Sequence, residues 1–135
     1  MSRVIAVTNQ KGGVGKTTTC VNLAASLVSI KRRVLVIDLD PQGNATMGSG
    51  IEKHTLRYSV LDVLTQRADV NQVLRTNTPA GYDLLPSNGD LTAAEVELLK
   101  VDQKEARLRT ALSQLQGEYD FVLIDCPPSL NMLTV

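Results

Sequence analysis

A glycine-rich segment, Lys11–Thr18, constrains this chain more than any other feature, because it lies between a predicted strand and a predicted helix. The strand is predicted over 3–8, where β-branched residues are frequent, and the helix over 16–30, where apolar residues recur at helical spacing. Glycines in such a turn let backbone N–H groups approach an anion closely, and the first turn of the helix adds its own unpaired N–H groups. The segment therefore predicts a phosphate-binding loop, and the alternative is a glycine-rich turn that holds no ligand.

The residue types in this loop suit separate tasks. Lys16 is expected to reach the β and γ phosphates of a nucleotide, and the Thr17 hydroxyl is expected to ligate Mg²⁺. The standard pattern has a glycine five residues before Gly15, where this chain has Gln10, and the chain adds a second lysine at Lys11. The residues predicted to bind the cofactor are Lys11, Gly12, Gly13, Val14, Gly15, Lys16, Thr17 and Thr18.

Strand-like and helical patterns alternate along the rest of the chain. The further strands are predicted at 33–39, 82–85 and 119–125, and the further helices at 60–66, 93–100 and 103–116. The segment Pro41–Gly50 contains three glycines and is predicted as a loop. Because strands that alternate with helices pair in parallel through crossovers, the predicted fold class is α/β, a doubly wound and mostly parallel sheet.

Three aspartates stand at the ends of predicted strands. Asp38 and Asp40 follow the second strand, and Asp125 follows the apolar run of the last strand. Ligands of open α/β sheets bind beyond the carboxyl ends of the strands, and carboxylates placed there beside a phosphate loop are suited to hold Mg²⁺. For each aspartate the alternative is a structural task, as a helix cap or a turn former.

Composition excludes several other classes of protein. Lys and Arg number 14 and Asp and Glu number 14, so the zero net charge excludes a basic nucleic-acid tail or polybasic membrane patch as a whole-chain feature. The single histidine excludes a site built from several histidines, and Cys20 and Cys126 are expected to be packing residues. The longest strictly apolar runs have four residues, too few to span a membrane, so a cytoplasmic location is expected.

Three motifs together resemble a known family. Lys11–Thr18 resembles the deviant Walker A motif of P-loop ATPases, Asp38–Thr46 resembles the second motif of the ParA/Soj chromosome- and plasmid-partitioning ATPases, and Asp125–Leu130 resembles their Walker B region. The motifs occur in the order that the family has, and the resemblance covers residues 1–135. The deviant loop alone is shared with MinD-like proteins, whereas the other two motifs favour the partitioning branch.

The resemblance implies a mechanism and roles for single residues. Two protomers would enclose two ATP molecules, and Lys11 would contact the phosphates of the nucleotide bound by the other protomer. Lys16 would bind phosphates within its own protomer, and Asp40 would position the attacking water, so the implied catalytic residues are Lys11, Lys16 and Asp40. The implied Mg²⁺ ligands are Thr17, Asp38 and Asp125.

The resemblance also implies partners and a location. ParA/Soj proteins form ATP-dependent homodimers that bind DNA without sequence preference, and a ParB-type centromere-binding protein stimulates them; they act in the cytoplasm, on the nucleoid, without a membrane. Because the family is roughly twice this length, residues 1–135 are expected to form the N-terminal part of one P-loop ATPase domain. Its C-terminal half, with the DNA-binding residues, is expected to lie outside this chain. The alternatives are a MinD-like membrane-surface ATPase and a truncated fragment that does not hydrolyse ATP.

Overall fold

The apolar runs predicted as strands form a sheet in the computed structural model, which describes residues 3–7, 14–39, 44–51, 58–64, 67–76, 78–87, 104–115 and 119–125. The strands in these ranges are β1 (Arg3–Val7), β2 (Val34–Asp38), β3 (Asp83–Leu85) and β4 (Phe121–Asp125). The helices in these ranges are α1 (Val14–Ser29), α2 (Asn44–Gly48), α3 (Val60–Leu64), α4 (Val70–Val73) and α5 (Lys104–Ser113). Strands and helices alternate broadly as predicted, which confirms the α/β class.

β4, the last strand among the described residues, lies inside the sheet. The order across the sheet is β1-β4-β2-β3, and all neighbouring strands run parallel. The register pairs Val7 of β1 with Asp125 of β4, and Asp125 with Asp38 of β2. The carboxyl ends of these three strands therefore meet in one row, which we call the carboxyl edge.

Helices pack on both faces of the sheet, which confirms the doubly wound prediction. Successive residues of β2 point to opposite faces, so Leu35 and Ile37 pack on one face while Val34 and Val36 pack on the other. The buried helix residues on the first face are Val60, Val63, Leu64, Val70, Val73, Leu108 and Ala111, and those on the second face are Cys20 and Ala24 of α1.

α1 begins two residues earlier than its predicted start at position 16. Its apolar face packs as the spacing predicts, because Cys20 and Ala24 are both fully buried, and Cys20 is thereby confirmed as a core residue. Among the described helices, none combines the length and the apolar character needed to cross a membrane.

The segment predicted as a loop contains a helix, so that prediction is wrong. α2 lies within Pro41–Gly50, and its residues Ala45 and Thr46 are fully buried. The Asp38 carboxylate accepts a hydrogen bond of 2.8 Å from the Thr46 backbone N–H. The bond provides an acceptor for an N–H group of the first helical turn, and that acceptor lies outside the segment Pro41–Gly50. The glycine content of the segment therefore could not indicate the helix.

α4 is a helix that the apolar spacing does not predict. Its N-cap is Asp69, whose side chain accepts a hydrogen bond from the Asn71 N–H, while the Gln72 side chain accepts one from the Asp69 N–H. Asp69 and Gln72 form a capping box, which is the local signal that indicates a helix start here. The helix predicted at 93–100 lies outside the described residues.

Side chains connect the amino ends of the strands, at the edge opposite the carboxyl edge. The Tyr119 hydroxyl, just before β4, donates to Oδ2 of Asp83 in β3 at 2.7 Å. The Arg33 guanidinium lies 5.6 Å from the centre of the Tyr119 ring. The backbone N–H of Arg33 donates to Asp120 Oδ2 at 2.8 Å. Burial, followed by the hydrogen bond to Asp83, raises the pKa of Tyr119 well above its ordinary value.

Candidate functional site

The carboxyl edge brings two aspartates together. Asp38 and Asp125 are the last residues of β2 and β4, and they are opposite each other in the register. Adjacent strands lie about 4.8 Å apart, so the backbone holds these two residues side by side. Val7, the last described residue before the predicted phosphate loop, is paired with Asp125 on the other side.

Both aspartates belong to the face of the sheet that α1 covers. Side chains alternate along a strand, and Val36 of β2 and Leu123 of β4 both pack on that face. Asp38 stands two residues after Val36, and Asp125 two residues after Leu123, so the alternation gives both the same direction. Both are fully buried, at 0% exposure. Because an ionised carboxylate is costly to bury unless donors or a cation compensate it, this edge requires such groups nearby.

Thr46 of α2 compensates the Asp38 carboxylate. Oδ2 of Asp38 accepts hydrogen bonds from the Thr46 N–H at 2.8 Å and from the Thr46 hydroxyl at 2.7 Å. The Thr46 hydroxyl oxygen in turn accepts a hydrogen bond of 2.9 Å from the Ser87 N–H, just beyond β3. All three residues are buried. We call them the Asp38–Thr46–Ser87 network; it joins the ends of β2 and β3 to α2.

A second set of contacts holds the other end of α2. The Ser49 hydroxyl donates to the Ala45 carbonyl at 2.7 Å, and its oxygen lies 2.5 Å from the Tyr82 hydroxyl oxygen, within hydrogen-bond distance. Burial raises the pKa of Tyr82, although the hydrogen bond with Ser49 opposes that rise. Gly50 has a φ of +86°, and a Cβ there would lie 2.9 Å from Pro79 Cγ, so this turn requires glycine. α2 is therefore anchored at both ends beside the carboxyl edge.

The predicted phosphate-binding residues lie partly outside the described chain. Lys11, Gly12, Gly13 and Asp40 are outside the described residues. Val14–Thr18 form the start of α1, and its first turn contains no acidic residue. The N-terminus of a helix carries unpaired N–H groups and a partial positive charge, so the start of α1 is suited to an anion such as a phosphate.

The acidic residues at this edge suit Mg²⁺ better than a metal that needs many protein ligands. Among the described residues, no group of three or more His, Cys, Asp or Glu residues could hold a metal ion. Mg²⁺ is commonly held by one or two carboxylates, because waters and substrate phosphates complete its octahedral shell. The two adjacent carboxylates of Asp38 and Asp125 fit that requirement.

Several known proteins are similar in sequence to this chain over its whole length. Residues 2–135 match the family described as AAA domain (AAA_31). The chain is 50% identical over 135 residues to the sporulation initiation inhibitor protein Soj of Bacillus subtilis and 47% identical over 135 residues to the chromosome partitioning protein ParA of Myxococcus xanthus. The chain belongs to the ParA/Soj family. Both matches cover 100% of this chain, but they cover only 53% of Soj and 48% of ParA. The chain therefore spans about half the length of these relatives.

A solved structure shares the fold of this chain. Cobyrinic acid a,c-diamide synthase from Mycobacterium smegmatis, with a bound ATP analog and magnesium, matches it with a TM-score of 0.86 and 47% identity. The match covers 99% of this chain and 55% of the other. This similarity confirms the P-loop NTPase architecture that the motifs predict.

Thr46 and Ser87 are residues of the candidate site to which the motifs give no chemical role. Thr46 ends the predicted second motif, but its partner Ser87 lies 41 residues further along the chain. A contact of that separation follows from the parallel register of β2 and β3, which a single sequence does not specify. Of the predicted residues, the structure brings Asp38 and Asp125 together at the carboxyl edge.

Proposed function

We propose that this chain carries the ATP-binding and ATP-hydrolysing site of an ATPase that partitions a chromosome or a plasmid. The observation that supports this most directly is the register in which Asp125 lies between Val7 and Asp38. Because Val7 leads into the glycine-rich segment and α1 follows it, a phosphate bound at the start of α1 would lie near buried carboxylates.

The nucleotide is bound through backbone groups and one lysine. The N–H groups of Gly12–Thr18 surround the phosphates, and the Lys16 ammonium neutralises the charge of the β and γ phosphates. Phosphoryl transfer depends mainly on positioning and charge neutralisation, so these contacts supply most of what the reaction needs.

The ion and the water are assigned to other residues. Thr17 and Asp125 hold Mg²⁺, with Asp38 beside them at the carboxyl edge, and the ion when bound neutralises charge on the phosphates. Asp40 orients the water that attacks the γ phosphate. The alternation that supports a common direction for Asp38 and Asp125 supports this arrangement.

ATP controls assembly in this proposal, because Lys11 of each protomer contacts the phosphates bound by the other. The γ phosphate is then part of the dimer interface. The ATP-bound dimer binds DNA without sequence preference. A ParB-type partner stimulates ATP hydrolysis, which releases the dimer from the DNA. The protein acts in the cytoplasm, on the nucleoid.

The test measures ATP turnover and assembly of the complete protein. Phosphate release is followed with Mg-ATP alone, with DNA, and with DNA and the ParB-type partner, and the molecular mass is measured by light scattering with ATP and with ADP. We expect turnover that rises with DNA and the partner together, and a dimer only with ATP. Absence of ATP binding would contradict the proposal, whereas binding without turnover would favour the non-hydrolysing alternative. Binding to anionic vesicles in place of DNA would favour the MinD-like alternative.

A second candidate function is an ATP-dependent amidation, because the solved structure with a TM-score of 0.86 is described as a cobyrinic acid a,c-diamide synthase. This function would use the same nucleotide site, so ATP binding does not separate the two. Phosphate release that requires cobyrinic acid and an amino donor would favour it. Phosphate release that responds to DNA and a ParB-type partner would favour partitioning.

A further inference from the structure

We infer that Thr46 is a positioning residue for ATP hydrolysis, because its side chain anchors the segment that carries Asp40. The inference rests on the proposed function, in which Asp40 orients the attacking water. Thr46 itself touches neither nucleotide nor water in this proposal, and it acts through the Asp38–Thr46–Ser87 network.

The network closes a short loop of the chain. Asp38 and Thr46 are eight residues apart, and two hydrogen bonds of 2.8 and 2.7 Å join them. Asp40 lies between these two positions in the sequence, two residues after Asp38. The two bonds therefore fix described residues on both sides of Asp40 in the sequence, and a short loop closed in this way loses conformational entropy.

The hydroxyl of Thr46 is the part of the network that sets the position of α2. It donates to Asp38 and accepts from the Ser87 N–H, so it fixes α2 relative to the ends of two strands at once. The Thr46 side chain is fully buried, so water does not replace these bonds without a rearrangement. Ser49 and Tyr82 hold the far end of α2, and the Thr46 end is the one nearer to Asp40 in the sequence.

A purely structural role is the alternative, and the two make different predictions. Loss of a buried hydroxyl that only supports the fold lowers stability without a specific effect on turnover. Loss of a positioning residue lowers kcat while ATP binding persists, because misplacement of a reacting group by about 1 Å costs on the order of a hundredfold in rate.

The experiment compares three substitutions in the complete protein. Thr46→Val removes the hydroxyl and keeps the shape, and Thr46→Ser keeps the hydroxyl. Thr78→Val is the matched control, because Thr78 is also buried and its hydroxyl donates to the Tyr82 carbonyl at 2.7 Å. For each protein the Kd for ATP, the kcat for phosphate release and the midpoint of urea unfolding are measured.

We expect kcat of Thr46→Val to fall at least about tenfold, while its Kd for ATP changes less than about threefold. Thr46→Ser should keep kcat within about twofold of the wild type, because its hydroxyl makes the same two bonds. Thr78→Val should lose stability to a similar degree as Thr46→Val and keep the wild-type kcat.

Other outcomes overturn the inference. A wild-type kcat in folded Thr46→Val, or an equal fall in kcat in Thr78→Val, shows that the Thr46 hydroxyl does not position the reaction. If Thr46→Val does not fold, Thr46→Ala and Thr46→Ser are compared, since they differ by one hydroxyl. If only the serine variant folds, the role is structural and the inference is wrong. A wild-type protein that neither binds nor hydrolyses ATP contradicts the proposed function instead.

Discussion

The two buried aspartates at the carboxyl edge have different surroundings. Asp38 accepts two hydrogen bonds from Thr46, and bonds to a charged group contribute roughly 1.5–3 kcal/mol each, which offsets part of the cost of burying it. Asp125 lies between Val7 of β1 and Asp38 of β2 in the register. The bonds from Thr46 make Asp38 the residue that ties the end of β2 to α2.

Replacement of Lys16 tests the phosphate loop. Lys16→Ala removes a charge-assisted contact worth roughly 1.5–3 kcal/mol, so we expect the affinity for ATP to fall at least about tenfold. Isothermal titration with ATP measures it. Lys31→Ala is the control, because Lys31 is an exposed lysine beyond the end of α1. Unchanged affinity in Lys16→Ala would assign the phosphates to another site.

Replacement of Asp40 tests the role of that carboxylate in hydrolysis. Asp40→Ala should bind ATP and form the dimer, but phosphate release should fall by about a hundredfold or more, because the attacking water loses its orienting group. Asp120→Ala, at the opposite edge of the sheet, should release phosphate at the wild-type rate. Normal turnover in Asp40→Ala would place the water-orienting group elsewhere.

The secondary-structure elements differ in how well the sequence predicts them. β2 and β4 were predictable because continuous apolar runs indicate buried parallel strands. α2 was not, because the bonds of Asp38 and the burial of Thr46 stabilise it against its glycine-rich composition. The site follows the same division: the motifs indicate its residue types, whereas the adjacency of Asp38 and Asp125 depends on the strand order.

The hydrogen bond between Tyr119, just before β4, and Asp83 of β3 is expected to affect stability at alkaline pH. The pKa of Tyr119 is raised above its ordinary value of 10.0, so the folded protein holds this proton more tightly than the unfolded chain. The stabilisation is complete below about pH 10 and is lost as the pH rises further, towards the raised pKa. Tyr119→Phe also removes the bond to Asp83, so we expect it to lower the free energy of unfolding by about 1 kcal/mol near pH 8.

The measurement is urea unfolding of both proteins at several pH values. Stability of the wild type should fall more steeply above about pH 10 than stability of Tyr119→Phe, so the two should converge there. Part of the slope should remain in the variant, because burial also raises the pKa of Tyr82. Parallel curves for the two proteins would show that Tyr119 does not cause the alkaline loss.

At the scale of the whole molecule, the edge strand β1 is incompletely covered by the described residues. In the described part of the chain, β1 pairs with β4 on one side, and its residues Val4 and Ile5 are 57% and 37% exposed. Consecutive strand residues point to opposite faces, so apolar surface is open on both sides of this edge strand. Exposed edge strands with apolar side chains tend to pair with other chains.

Self-association of the 135-residue chain is therefore expected to depend on β1. Val4→Lys places a charge on the edge strand and should reduce association at high concentration, measured by analytical ultracentrifugation. Ile30→Lys is the control, because Ile30 is 62% exposed but lies just after α1, away from β1. An equal reduction in both variants would indicate general solubility rather than pairing through the edge strand.

The central position of β4 also affects the order in which the chain folds. β1 and β2 are joined by α1, yet they do not pair with each other, because β4 fills the place between them. During synthesis, that place stays empty until residues 121–125 have left the ribosome, and contacts so distant in sequence form slowly. The register that places Asp125 between Val7 and Asp38 therefore forms only after that step. A chain whose synthesis stops earlier has the sequence of the phosphate loop but lacks Asp125 beside Asp38.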